Sequence, residues 1–193
     1  VSPLKRMISI AVSVFMMFFL INVNINFLGF GLLDYLLSNF IVSLLFTLLV
    51  VGGLVNSINI IDGFNGLLVG YSIIVLIAIS YIANILGDSL VIQLSLMLIA
   101  SLLGTFIFNF PFGKIFMGDG GAYFTGFMMA IIGLMLVIRN EEVSHWFILL
   151  LFIYPLYETA FSVYRKKIVR NTSPSQPDGY HLPMRIYKRL VNR

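Results

Sequence analysis

The feature that most constrains the fold is a succession of apolar runs, each about as long as a bilayer-crossing helix. A helix needs about 20 predominantly apolar residues to cross a hydrocarbon core roughly 30 Å thick. Six runs have this character: residues 7–28, 36–55, 67–86, 90–108, 123–138 and 146–164, the fifth being the shortest. They do not alternate polar with apolar residues as the strands of a closed barrel do. The reading is therefore an all-α, polytopic transmembrane helix bundle of about six spans. Composition agrees: 60% of the 193 residues are hydrophobic and only 10% are charged, whereas a soluble domain is about half apolar and a quarter charged. The absence of cysteine excludes disulfides and thiolate chemistry. No repeat or low-complexity linker divides the chain. Residues 1–193 read as one integral membrane domain, with residues 165–193 as its basic cytoplasmic tail.

The lysines and arginines orient the bundle, because cytoplasmic loops carry the excess of both. Lys5 and Arg6 precede the first run. Six crossings return the tail to the same side, so both termini are expected in the cytoplasm. Of the 12 basic residues only Arg139 falls on the far side, next to Glu141 and Glu142. The net charge of +4 then speaks for anionic headgroups and topology rather than for nucleic acid. The basic run Arg165–Lys167 reads as a headgroup anchor, and His145 with Trp146 as an outer-interface marker. Glu158, late in the sixth run, is expected to pair with a nearby basic residue such as Arg165 or to snorkel.

The same orientation sorts the polar loops. The plain, short ones face outward; those rich in amides, carboxylates and glycines face inward. The first of these reads N-S-I-N-I-I-D-G-F-N-G over residues 56–66. Asn56, Asn59 and Asp62 are three apart, so a continuing helix would align them on one face. Gly63 and Gly66 then loosen the backbone around Phe64 and Asn65. Such residues also simply end helices at a membrane surface, but an Asp inside lipid costs about 2.5–3.5 kcal/mol, so Asp62 belongs at the interface or in a hydrated cavity.

The second inward loop reads N-F-P-F-G-K-I-F-M-G-D-G-G-A-Y-F-T-G over residues 109–126. Asp119 stands between Gly118 and Gly120–Gly121, where its carboxylate has little steric cover. One or two carboxylates plus phosphate oxygens are how Mg²⁺ is usually held. Free glycine amides ahead of a helix expected to start near Ala122 suit an anion. Phe116 is placed to stack a flat base, a contact worth about 1–3 kcal/mol, and Asn109 offers an amide that both donates and accepts. A carboxylate for metal, a nest for phosphate, a ring and an amide together describe a nucleoside diphosphate site. A glycine-rich turn with phenylalanines dipping into the interface is the plainer alternative.

These two stretches closely resemble loops of the polytopic polyprenyl-phosphate N-acetylhexosamine-1-phosphate transferases, glycosyltransferase family 4, whose members include phospho-N-acetylmuramoyl-pentapeptide transferase. The resemblance implies transfer of a sugar 1-phosphate from a UDP-sugar to undecaprenyl phosphate with release of UMP. It also implies Mg²⁺, with Mn²⁺ as a substitute, and a bacterial inner membrane with the active face cytoplasmic. The pathway would be cell-wall or lipopolysaccharide biogenesis. By resemblance Asp119 is the metal-binding catalytic aspartate, Asp62 the catalytic aspartate of the other loop, Phe116 the ring on uracil and Asn109 an amide beside the nucleotide. Asn59, Asn65 and Gly120 complete the expected substrate contacts, and His181 matches a histidine motif of the family tail. Homodimerisation stays open.

Three departures stand out. Asn65 occupies a position where the family usually has a second aspartate. Pro183 and Met184 stand where histidines are expected. The adjacent aspartate pair of an upstream family loop is absent, and S-P-L-K-R resembles the residues immediately downstream of that pair. The chain therefore reads as the C-terminal part of a longer transferase, inactive alone. A non-catalytic relative and a small-solute transporter are the competing readings. A transporter would place its polar clusters near mid-membrane, not at one face.

Overall fold

The computed structural model describes residues 3–169. Eight α-helices follow one another: α1 (Pro3–Leu20), α2 (Gly31–Leu37), α3 (Phe40–Ile60), α4 (Leu67–Leu86), α5 (Ser89–Asn109), α6 (Gly118–Arg139), α7 (His145–Leu151) and α8 (Ile153–Tyr164), with a π-helical turn over Arg165–Val169. No strand occurs among the described residues. In α3, α4, α5 and α6 the helices are long and apolar enough to cross a membrane, and α7 with α8 makes a fifth crossing if the bent pair is one span. The bundle of helices is as expected, but the expected spans are not all continuous.

The first departure lies in the run 7–28. The helix stops at Leu20, and residues 22–29 form an irregular segment before the short α2. Non-helical backbone packed among apolar helices needs partners for its polar groups, and α3, α2 and α7 supply them. Thr47 accepts from the Ile25 N–H at 3.0 Å and Ser43 donates to the Ile25 carbonyl at 2.9 Å. Asp34 takes the Leu28 N–H at 2.6 Å, and the Trp146 indole donates to the Leu28 carbonyl at 2.9 Å. The expected second span starts later, at Phe40, where the Asn39 side chain caps α3 by accepting from Ile41 and Val42.

The second departure is a 65° bend between α7 and α8 inside the run 146–164. Pro155 has no N–H to give the Leu151 carbonyl four residues back. That carbonyl instead accepts from the Tyr71 hydroxyl at 2.7 Å. Glu158 is buried on α8, and the Arg165 guanidinium lies 5.7 Å from the centre of the Phe161 ring.

α6 is the central helix, with 61% of its most apolar stretch buried against 28% for α5. Two glycines let it approach its neighbours. A Cβ at Gly126 would stand 3.2 Å from the Val55 Cα on α3, and one at Gly133 would stand 3.1 Å from Ile148 on α7. Without water to drive helices together in lipid, small residues that admit close backbone approach are the usual solution. At one end of the bundle, Arg139 on α6 closes on the buried Asp88 that caps α5, Nε to Oδ2 2.8 Å, with Asn140 on the same oxygen at 3.1 Å. At the other end the start of α1, the end of α3, the start of α4, the end of α5 and the start of α6 meet.

Candidate functional site

The meeting point is built by two clasped turns. Between α3 and α4 the chain turns over residues 61–66; between α5 and α6 it loops over residues 110–117. Asn109, buried at the end of α5, accepts the Gly66 N–H on its carbonyl oxygen and donates from Nδ2 to the Ile115 carbonyl at 2.7 Å. Asn65 donates to the Pro111 carbonyl at 3.1 Å. Each amide thus holds one turn against the other. Two glycines make room: Gly66, with φ +80°, where a Cβ would come within 2.8 Å of the Phe110 ring, and Gly113, with φ +61°, where it would come within 2.7 Å of Asn65. Only glycine takes such φ values at little cost.

The clasp brings Asp119 to Asn59. α6 starts at Gly118 rather than near Ala122, so the glycine-aspartate stretch is the first helical turn and not a loop ahead of it. That places the Asp119 carboxylate where the helix dipole favours negative charge. Asn59, in the last turn of α3, donates from Nδ2 to Asp119 Oδ1 at 3.3 Å. Arg6 of α1 approaches the other oxygen, Nη2 to Oδ2 2.8 Å, while the Asp119 side chain keeps 54% of its surface exposed. Asp62 lies just past the end of α3, half-buried. Burial first, and then the Asp119 charge, push its carboxyl above the usual carboxylate range. Of the three residues expected on one face, Asn59 reaches Asp119, Asp62 is coupled to it, and Asn56 lies exposed on α3.

Beside Asp119 a cleft of about 320 Å³ opens between α1 and α6. Its polar end is Arg6, Ser9 and Asp119; its apolar wall includes Ile10, Phe124 and Phe127. Gly120 lines it too, with nothing within 4 Å of where a Cβ would stand. Phe116 is 65% exposed in the adjoining loop, available as a stacking surface. His181 lies outside the described residues.

Arg6 is the member whose part in the site the sequence did not disclose; its position ahead of an apolar run marked it only as orienting the bundle. A signal was present: Arg6, Ser9 and Ser13 recur at i, i+3 and i+7, a polar stripe on one face of an otherwise apolar helix.

Among the described residues no three His, Cys, Asp or Glu side chains group closely enough to cage a metal unaided. Mg²⁺ does not need a cage; one or two carboxylates, waters and substrate phosphates serve. An exposed Asp119 beside a second carboxylate whose charge it disfavours fits that demand.

The comparisons with known proteins bear on the same residues. The model of glycosyl transferase family 4 matches residues 1–137, which contain both turns, Arg6 and Asp119. The chain belongs to this family. Among curated relatives, a Bacillus subtilis protein named "Probable undecaprenyl-phosphate N-acetylglucosaminyl 1-phosphate transferase" is 32% identical over 142 residues, 72% of this chain and 39% of its own length. The phospho-N-acetylmuramoyl-pentapeptide-transferase of Streptococcus thermophilus is 30% identical over 154 residues, 80% of this chain and 43% of its own. That of Streptococcus pyogenes serotype M6 is 30% identical over 176 residues, 91% and 51%. The chain thus spans about half or less of the length of these relatives. Family and apolar helices together make this family 4 chain part of a multi-pass membrane protein.

Proposed function

We propose that this chain is the nucleotide- and metal-binding portion of an enzyme that transfers an N-acetylhexosamine 1-phosphate from a UDP-sugar to undecaprenyl phosphate. The reaction takes place at the cytoplasmic face of a bacterial inner membrane. An oxygen of the lipid phosphate attacks the sugar-proximal phosphorus, the bond from that phosphorus to the bridging oxygen breaks, and UMP leaves with the bridging oxygen. The product is a lipid-linked diphosphosugar that starts a cell-envelope glycan.

The observation that carries the reading is Asp119. It is a half-exposed carboxylate at a helix N-terminus, braced by Asn59 and Arg6 and facing a cleft at one end of an apolar bundle. Two phosphorylated substrates repel each other, so the site must neutralise them before they can align. Bound Mg²⁺, held by Asp119 with Asp62 nearby, would supply charge neutralisation at the diphosphate. Asn59 holds the Asp119 carboxylate in place from the end of α3, and in the metal-free site Arg6 pairs with its other oxygen. Phe116 offers a face to the uracil, and the Asn109 and Asn65 clasps keep both turns in register so that these groups converge. The apolar wall of α1 and α6 suits a substrate whose reacting phosphate is anchored in a membrane.

The test is the product released by the full-length protein in nanodiscs with a panel of UDP-sugars, Mg²⁺ and undecaprenyl phosphate. Release of UMP that depends on the lipid phosphate supports the reading. Release of UDP, or of no nucleotide with any sugar in the panel, overturns it.

A further inference from the structure

We propose that Arg6 is a displaceable counter-ion of Asp119. It neutralises the carboxylate in the metal-free site and, once a cation takes that oxygen, turns across the cleft to bind a substrate phosphate. This rests on the metal role proposed for Asp119.

Three observations carry the inference. First, Arg6 Nη2 stands 2.8 Å from Asp119 Oδ2, while Asn59 holds Oδ1. A divalent cation on Oδ2 would place two positive groups on one oxygen, and their repulsion favours release of the guanidinium. Second, the pair is not sealed: 32% of the Arg6 side chain and 54% of the Asp119 side chain are exposed, so the guanidinium has somewhere to go. Third, that place is the cleft, which Arg6 itself lines. The hydroxyls of Ser9 and Ser13 on the same wall donate back to the Lys5 and Ser9 carbonyls at 3.0 and 2.9 Å. Among the cleft's side chains, Arg6 therefore brings the charge and most of the donors that an anion entering there would meet. Its five N–H groups form a fork matched to phosphate oxygens.

Metal and phosphate should then respond in opposite directions to loss of Arg6, which a purely structural ion pair would not produce. The experiment compares wild type, Arg6→Gln and Arg6→Lys as full-length protein in nanodiscs. Mn²⁺ alone is titrated by electron paramagnetic resonance, and KM is measured separately for the UDP-sugar and for undecaprenyl phosphate. Arg6→Gln is expected to tighten Mn²⁺ binding about two- to fivefold, the range of a partly exposed ion pair. It should raise KM for one phosphate substrate about tenfold or more. The substrate whose KM moves identifies the phosphate that Arg6 holds. Arg6→Lys keeps the competing charge without the fork, so its Mn²⁺ affinity should match wild type while KM recovers only in part. Unchanged or weaker Mn²⁺ binding in Arg6→Gln, or unmoved KM for both substrates, would overturn the proposal. Asp119→Asn separates the two claims. If it too retains full Mn²⁺ binding, the metal assignment to Asp119 has failed rather than the role of Arg6.

Discussion

Gly66→Ala and Gly63→Ala each add a single methyl to the same turn, three positions apart, yet the structure predicts opposite outcomes. At Gly66 the backbone has φ +80°, and the added Cβ would lie 2.8 Å from Phe110 Cδ2, 3.0 Å from its Cβ and 3.1 Å from its Cγ. Two of those atoms sit close to the Phe110 backbone, so rotating the ring does not relieve the contact. Holding alanine in the left-handed region costs about 1–2 kcal/mol. Moving the turn to escape Phe110 also gives up the Gly66 N–H to Asn109 bond, worth about 0.5–1.5 kcal/mol. The sum is about 1.5–3.5 kcal/mol, and the damage falls on the clasp that brings Asp119 to Asn59. Gly63 has nothing within 4 Å of a Cβ and no positive φ, so Gly63→Ala should stay within about 0.5 kcal/mol. Thermal unfolding in detergent reads the stability difference, and UMP release reads the site. If the two variants unfold alike and turn over alike, the clasp does not organise this site.

Other expectations rest on single contacts. Tyr71→Phe removes the hydroxyl on the carbonyl that Pro155 leaves unpaired and should cost about 1 kcal/mol in detergent unfolding. At the far end, burial alone would raise the Asp88 carboxyl, but hydrogen bonds from Arg139, Asn140 and the Val91 N–H outweigh it and hold it below the usual range. Its contribution to stability is thus present above that range and lost as pH falls through the lowered value. Arg139→Gln should weaken the protein at neutral pH and move its acid unfolding to higher pH. Asp62 is the reverse case, raised by burial and by Asp119, so it favours the folded state below its unfolded value and loses that advantage as pH rises through the folded one. Asp62→Asn should therefore stabilise the metal-free protein at pH 7 and have no such effect in acid, measured by unfolding across pH.

Much of this was legible in the sequence. Long apolar runs set the helices, and the two polar loops do meet at one end, where Asn59, Asp62, Asn65, Asn109 and Asp119 cluster as their placement on one side implied. The breaks were harder to see because hydropathy averages over them. Residues 22–26 read N-V-N-I-N, alternating polar and apolar residues, and the structure buries Val23 and Ile25. That period of two is an extended-chain pattern, hidden inside a run apolar enough to pass for helix. The bend between α7 and α8 passes as part of one apolar run, and nothing local showed that Tyr71, 80 positions away from Leu151, would satisfy the carbonyl that Pro155 leaves free. The Arg6–Asp119 pair was invisible for the same reason: it joins the first helix to the sixth, and one sequence does not show which helices are neighbours. The clasping role of Asn109 likewise depends on a turn 43 positions earlier.

The metal role of Asp119 is tested most directly by UMP release from the full-length protein carrying Asp119→Asn, a change that keeps the side-chain shape and removes the charge. With saturating UDP-sugar, undecaprenyl phosphate and Mg²⁺, loss of a metal-holding carboxylate predicts a fall of about a hundredfold or more, with unfolding little changed. A variant that turns over at the wild-type rate would contradict the central claim.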